Sequence, residues 1–143
     1  MKGFVKDIEK LTESNKDFRR VLYTGGRLQL VLMSLKRAEE IGEEVHADRD
    51  QFFRIEKGEG EVWIDGKRTK IKSGAAILVP AGARHNVVNT GDKPMKLYTL
   101  YGPPEHRDRV VRATKAKAEA IEEHFDGKTT EKASASKAES KEA

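Results

Sequence analysis

Between residues 18 and 101, apolar positions recur in short runs closed by glycine, proline or an acidic-glycine pair. The pattern predicts strands over Phe18–Thr24, Leu28–Leu35, Glu43–His46, Gln51–Lys57, Gly60–Ile64, Lys67–Ile71, Ala75–Val79, His85–Asn89 and Met95–Tyr101. Leu28–Leu35 is too continuously apolar to alternate, as a strand covered on both faces would be. Asp65-Gly66 is a two-residue hairpin signal, and Gly91-Asp92 marks another turn. Short strands at regular spacing, punctuated by Gly and Pro, predict an all-β sandwich or barrel.

The pattern changes at both ends. Val5–Lys16 is polar, with a weak helical turn. Pro103-Pro104 closes the strand region, and Thr114–Phe125 is rich in Ala, Glu and Lys, strong helix formers, with Asp126-Gly127 as a stop. The chain after Lys128 is of low complexity and predicts disorder. Four segments follow: an N-terminal stretch over 1–17, a barrel over 18–104, a C-terminal extension with a helix over 105–127 and a disordered tail over 128–143.

Composition narrows the function. With 143 residues there is material for one domain. Hydrophobic and charged residues each make up 36 %, and no apolar run reaches membrane-span length. The absence of cysteine excludes disulfides, thiolate nucleophiles and thiolate metal sites. MKGFVKDIEK lacks the apolar middle of a signal peptide, so the expectation is a cytoplasmic protein without membrane partners. The net charge of +4 comes from 28 basic residues interleaved with 24 acidic ones. That describes solvated surfaces and not a phosphate-tracking stripe, so no nucleic-acid partner is expected.

The chemistry concentrates in Gly74–Asn89, GAAILVPAGARHNVVN. A strand of small and β-branched residues enters a Pro-x-Gly turn, and His85 opens the returning strand. The stretch resembles the second motif of the cupin superfamily, G(x)5PxG(x)2H(x)3N, at every fixed position. The family's first motif, HxH(x)4E(x)6G, aligned from Gly58, puts Glu44 at the first His, His46 at the second and Gln51 at the Glu. The family's opening glycine falls on Ala38. The run from Glu40 to Lys67 and the extension from Tyr101 resemble a small single-domain, mannose-6-phosphate isomerase-like cupin subgroup, and the likeness covers roughly residues 18 to 131. The resemblance implies a double-stranded β-helix, the jelly-roll barrel, with a metal held by Glu44, His46, Gln51 and His85.

Strand parity agrees with that alignment. Residues two apart on a strand share a face, so Glu44 pairs with His46, Gln51 with Phe53 and Ile55, and His85 with Val87 and Asn89. Arg54 takes the opposite face. Two imidazoles and two oxygen donors suit Mn, Fe, Zn, Ni or Co. Alternatives stand beside each ligand. Glu44 belongs to an acidic cluster with Glu39, Glu40 and Glu43, Asp48 is a rival carboxylate, and Gln51 can be a hydrogen-bond donor.

The function implied is a metal-dependent enzyme on a small oxygenated metabolite, isomerase-, lyase- or dioxygenase-like. The alternatives are a barrel that binds a sugar or small acid without turnover, and a dimeric interaction scaffold. A homodimer is expected, because Leu28–Leu35 and Trp63 offer more apolar surface than one small barrel hides. Of Tyr98 and Tyr101 only one can face the interior. Glu105-His106 reads as a surface loop, and His124 as a cation at a helix C-terminus.

Overall fold

The structure is a computed structural model describing residues 1–131. Its elements are α1 (Ile8–Ser14), β1 (Arg19–Thr24), β2 (Gln29–Leu35), β3 (Glu44–Val45), β4 (Asp50–Lys57), β5 (Glu59–Ile64), β6 (Lys67–Lys72), β7 (Ala76–Val79), β8 (Arg84–Asn89), β9 (Met95–Gly102), β10 (Val111–Arg112) and α2 (Lys115–Ala120). The strands form two antiparallel sheets, ordered β10-β1-β2-β9-β4-β7 and β3-β8-β5-β6. Non-consecutive neighbours such as β9 and β4 are the crossovers of a double-stranded β-helix. Among the described residues no helix is long and apolar enough to cross a membrane.

Register turns the alternating pattern into layers. In the larger sheet Gln29, Tyr101 and Gln51 stand abreast, then Val31, Thr99 and Phe53, then Met33, Leu97 and Ile55. In the smaller sheet Glu44, His85 and Ile64 stand abreast. The inner layers are apolar and sealed, with Val31, Met33, Phe53, Ile55, Val87 and Leu97 fully buried. Each such side chain contributes about 1.5–3 kcal/mol by leaving water. The layer above them is polar. A one-residue slip of any strand would send its core residues to the surface, so the burial that holds the barrel also fixes which polar groups face inward.

Local signals are obeyed where they were strongest. Asp65 and Gly66 both take positive φ, 45° and 83°, as a type I′ turn requires, and Ile64 pairs with Lys67 across it. Ala38, standing where the family pattern has glycine, takes φ 64°. The family's glycine thus answers a left-handed backbone that this chain imposes on an alanine.

Two expectations need correction. The C-terminal helix ends at Ala120 and not at Phe125, because Ile121 leaves helical dihedrals at φ −120° and ψ 89°. The released chain lets Glu123 reach His106 and the Phe125 N–H reach Glu105 O, tertiary bonds that outweigh propensity. The tail expected to be disordered from residue 128 is bound at its start: Thr130 bonds to Thr24 and Asp108, and Glu131 accepts from Tyr23, Lys2 and Gly3. Its remainder, 132–143, lies outside the described residues. The apolar surface expected on Leu28–Leu35 is divided: Leu28 is 54 % exposed, whereas the rest of the run is largely covered within the chain. Leu32 on its outer side is 2 % exposed, in a depression shared with Leu11 and Leu22, and Trp63 is stacked by the Arg68 guanidinium at 4.2 Å. The short strand β10, which pairs with β1, carried no sequence signal.

Two substitutions test this backbone. Ala38→Gly relieves a left-handed alanine and should raise unfolding free energy by about 1 kcal/mol. A Cβ on Gly60 would sit 2.1 Å from Val88 O and 2.5 Å from Met95 Cε, so Gly60→Ala should cost about 3 kcal/mol or more. Denaturant midpoints at unchanged slope measure both.

Candidate metal centre

The polar layer brings together residues from both sheets. Glu44 on β3 is the cross-strand partner of His85 on β8. His46 lies just past β3, where its carbonyl accepts the Gly82 N–H at 2.8 Å. Side-chain donor atoms of Glu44, His46 and His85 lie within 4.8 Å of one another. Gln51 reaches them from β4, its Oε1 3.1 Å from His85 Nε2. Bonds of about 2.1 Å to one metal put neighbouring donors roughly 3.0–3.4 Å apart. Asp48, the rival carboxylate, is 72 % exposed and paired with Arg49.

Hydrogen bonding sets which atoms are free. His85 Nδ1 lies 3.0 Å from Ala83 O, an acceptor, so this nitrogen carries a proton, and in the neutral ring Nε2 is bare. Gln51 Nε2 donates to Thr99 Oγ1 at 3.0 Å, which turns its Oε1 toward that bare nitrogen. Two lone pairs then face each other, an arrangement that a cation resolves. The other resolutions are a second proton on His85, with Nε2 donating to Oε1, and an amide turned over, with NH2 donating to His85 and Thr99 donating to Oε1.

His46 shows the same preparation. Its Nδ1 is 3.4 Å from Glu105 Oε2, an ion-pair separation without a hydrogen bond, while Nε2, Glu44 Oε1 and Glu105 Oε2 are all buried without a hydrogen-bond partner. Burial lowers the His46 pKa; His85, Arg49 and His106 add to the effect, and Glu44 opposes it. The ring is therefore neutral at neutral pH, the form that ligates. Unpartnered buried oxygen and nitrogen atoms aimed into one cluster fit a divalent ion of the nitrogen- and oxygen-preferring kind. Gln51 and His85 are sealed, at 2 % and 3 % exposure, whereas Glu44, His46, Glu105 and Arg49 form the wetter side.

Sequence reasoning missed the contribution of the extension. Glu105 and His106, read as a surface loop, are turned inward. His106 is 6 % exposed, with Nδ1 2.9 Å from Glu123 and Nε2 3.3 Å from the Tyr101 hydroxyl. Gln29 explains why. Its Oε1 accepts the Glu105 and His106 N–H groups, and its Nε2 donates to His106 O and Thr24 Oγ1. The available signal was a glutamine inside the apolar run of β2. Of the two tyrosines, Tyr101 faces inward; Tyr98 sits outside against Phe52, the face that also carries the Arg54–Glu56 pair. His124 is 70 % exposed and outside the helix.

A carboxylate behind a ligating imidazole fixes its tautomer and basicity, and such partners are worth about 10–100-fold in affinity. Glu105→Gln should accordingly weaken divalent-metal binding about tenfold in chelator competition. The melting temperature of the metal-free protein should stay near wild type.

Residues 31–101 match the Cupin domain family. The chain is 44 % identical over 128 residues to the uncharacterized protein YrkC of Bacillus subtilis, covering 85 % of this chain and 69 % of that one. It is 41 % identical over 108 residues to the uncharacterized protein L612 of Acanthamoeba polyphaga mimivirus, covering 72 % and 67 %. The crystal structure of BH2720 from Bacillus halodurans superposes with a TM-score of 0.83 at 44 % identity, covering 84 % of this chain and 96 % of that one. With both motifs on inward-facing strands of a double-stranded β-helix, the chain belongs to the cupin superfamily.

Proposed function

We propose that this cupin is a metal-dependent enzyme acting on a small oxygenated metabolite, with isomerase-, lyase- or dioxygenase-like chemistry. Glu44, His46, Gln51 and His85 would hold the Mn, Fe, Zn, Ni or Co ion. The observation that carries the reading is the pair of buried, unpartnered atoms, Glu44 Oε1 and His46 Nε2, in one cluster. Leaving such groups unsatisfied costs about 1–3 kcal/mol each, and a single cation satisfies both. Placement of the mannose-6-phosphate isomerase-like subgroup belongs to the same proposal and is supported by the likeness of the Glu40–Lys67 run.

A divalent ion there supplies Lewis-acid polarisation of a substrate oxygen. The residues of the chain do the rest. Phe53, packed edge-on to His85 with ring centroids 6.1 Å apart, keeps water from the floor. The Ala83 carbonyl holds the His85 ring with Nε2 inward, and the Glu105 carboxylate lies 3.4 Å from His46 Nδ1. Arg49, bonded to Pro104 O and within 3.3 Å of Glu105, places a positive charge at the wetter side, where an anionic substrate group is drawn in.

The test is metal content. Purified His46→Ala and His85→Ala should each lose stoichiometric metal while staying folded; full retention in both would contradict the proposal. A thermal-shift screen of small oxygenated metabolites, with and without chelator, should yield ligands that stabilise only the metal-loaded protein.

A further inference from the structure

The outer face of the larger sheet carries an apolar row that the chain covers only at one end. Cross-strand register sets Tyr23, Leu30, Leu100, Phe52 and Leu78 abreast on five successive strands, a row roughly 19 Å long at the usual strand spacing. Phe4 packs against Tyr23, with ring centroids 6.1 Å apart. At the other end Leu78 is 70 % exposed. Helix α1 bounds the row without filling it. The helix lies at the Lys57 end of the same face: Glu13 is 3.7 Å from Lys57 Nζ, the carbonyl of its C-cap Asn15 accepts from Lys96 Nζ, and Leu11 shares a depression with Leu22 and Leu32. A helix is about 10–12 Å thick, and stacked sheets sit about 10 Å apart. Beside α1 there is therefore a trough as deep as a second sheet needs.

The sheet edges point to the same place. Of the four edges among the described residues, β6 carries Lys67, Arg68, Lys70 and Lys72, and β3 and β10 are two residues long. Lysines and short strands keep edges from pairing. Strand β7 has neither guard: it is four residues long, uncharged, and holds Leu78. Charge selects the occupant. On β4, Asp50 and Arg54 stand two residues to either side of Phe52, on the same face of the strand. Asp50 is exposed. Arg54 gives its Nε to Glu56 at 2.9 Å, and a guanidinium has four further N–H groups. A twofold axis lying along the row turns one such face onto another and reverses the strand direction. Each residue of the row then lies over its own copy, and Asp50 of one copy meets Arg54 of the other, twice. We propose that a second copy of this chain seats on this face, burying Leu100, Phe52 and Leu78 against the same residues of its partner, with two Asp50–Arg54 pairs at the rim. Trp63, on the other sheet beneath the Arg68 guanidinium, lies outside the contact. A face three strands wide is smaller than the roughly 800 Å2 per partner of a standard interface, so the dimer is a weak one that dissociates at micromolar concentration.

Sedimentation equilibrium of the full chain, from about 1 to 200 μM, brackets such a dissociation constant. Wild type should pass from monomer to dimer across that range. Leu78→Asp should weaken association at least about tenfold by placing a charge at the centre of the contact, whereas Val45→Asp, at an exposed position on β3 of the smaller sheet, should leave it unchanged. Asp50→Lys and Arg54→Asp should each remain monomeric, because like charges then meet twice. An equimolar mixture of these two variants should form a heterodimer, in which both rim pairs have opposite sign again. A wild type that stays monomeric overturns the proposal, as does a dimer that survives Leu78→Asp or a mixture that does not associate. Asp50 also accepts the Ala81 N–H at 2.8 Å, so thermal unfolding checks each variant. If Asp50→Lys does not fold, the absence of native cysteine allows another reading. Mild oxidation of Leu78→Cys should join two copies by a disulfide at least about tenfold faster than oxidation of Val45→Cys, since only the former pair is held together before it reacts. Equal rates overturn the proposal.

Discussion

Everything in this barrel turns on the 3.1 Å approach of His85 Nε2 to Gln51 Oε1. The two residues belong to different sheets, and the contact crosses the interior where β8 faces β4. Below it the layers are apolar and close-packed; above it the chain exposes charged groups. A polar pair at such a boundary is stable only if its lone pairs find a proton or a cation, since burying them unpaired costs a few kcal/mol. The apolar layers supply the rigidity that holds the pair at this separation. Metal chemistry, where it occurs, therefore draws on hydrophobic packing well away from the ligands.

The C-terminal extension is the second half of the same arrangement. Its residues add little to the apolar core beyond Val110 and Ala118, yet they place Glu105 behind His46 and Glu123 behind His106. Gln29 ties this irregular segment to β2 with bonds on every polar atom of its side chain. A loop without periodic structure thereby becomes as fixed as a strand. Asn89 does similar work at the other end of the barrel, its amide donating to Leu35 O, Lys36 O and Lys93 O, which accounts physically for the asparagine in the second motif.

Legibility in the sequence followed the range of the interactions. Strand alternation and turn residues act over a few positions, so the barrel strands, the Asp65-Gly66 hairpin and the inward faces of Glu44, His85 and Gln51 could be read directly. The roles of Glu105, His106 and Glu123 could not, because they depend on contacts between segments distant in the chain that leave no period behind. The helix expected to reach Phe125 shows the same limit. Ala, Glu and Lys favour helix by a few tenths of a kcal/mol each, and the bonds that tie Glu123 to His106 and Phe125 to Glu105 outweigh that preference. Glu131 escaped notice because a low-complexity composition hides a single anchoring carboxylate.

The central claim is that one divalent ion occupies the space enclosed by Glu44, His46, Gln51 and His85. Anomalous diffraction from crystals of the purified protein, collected at the absorption edge of the bound element, tests it most directly. The account predicts one peak at about 2.0–2.2 Å from the Nε2 atoms of His46 and His85 and from a Glu44 oxygen, with Gln51 Oε1 turned toward it. A site without a peak in metal-supplemented crystals, and with the Gln51 NH2 donating to His85, would contradict it.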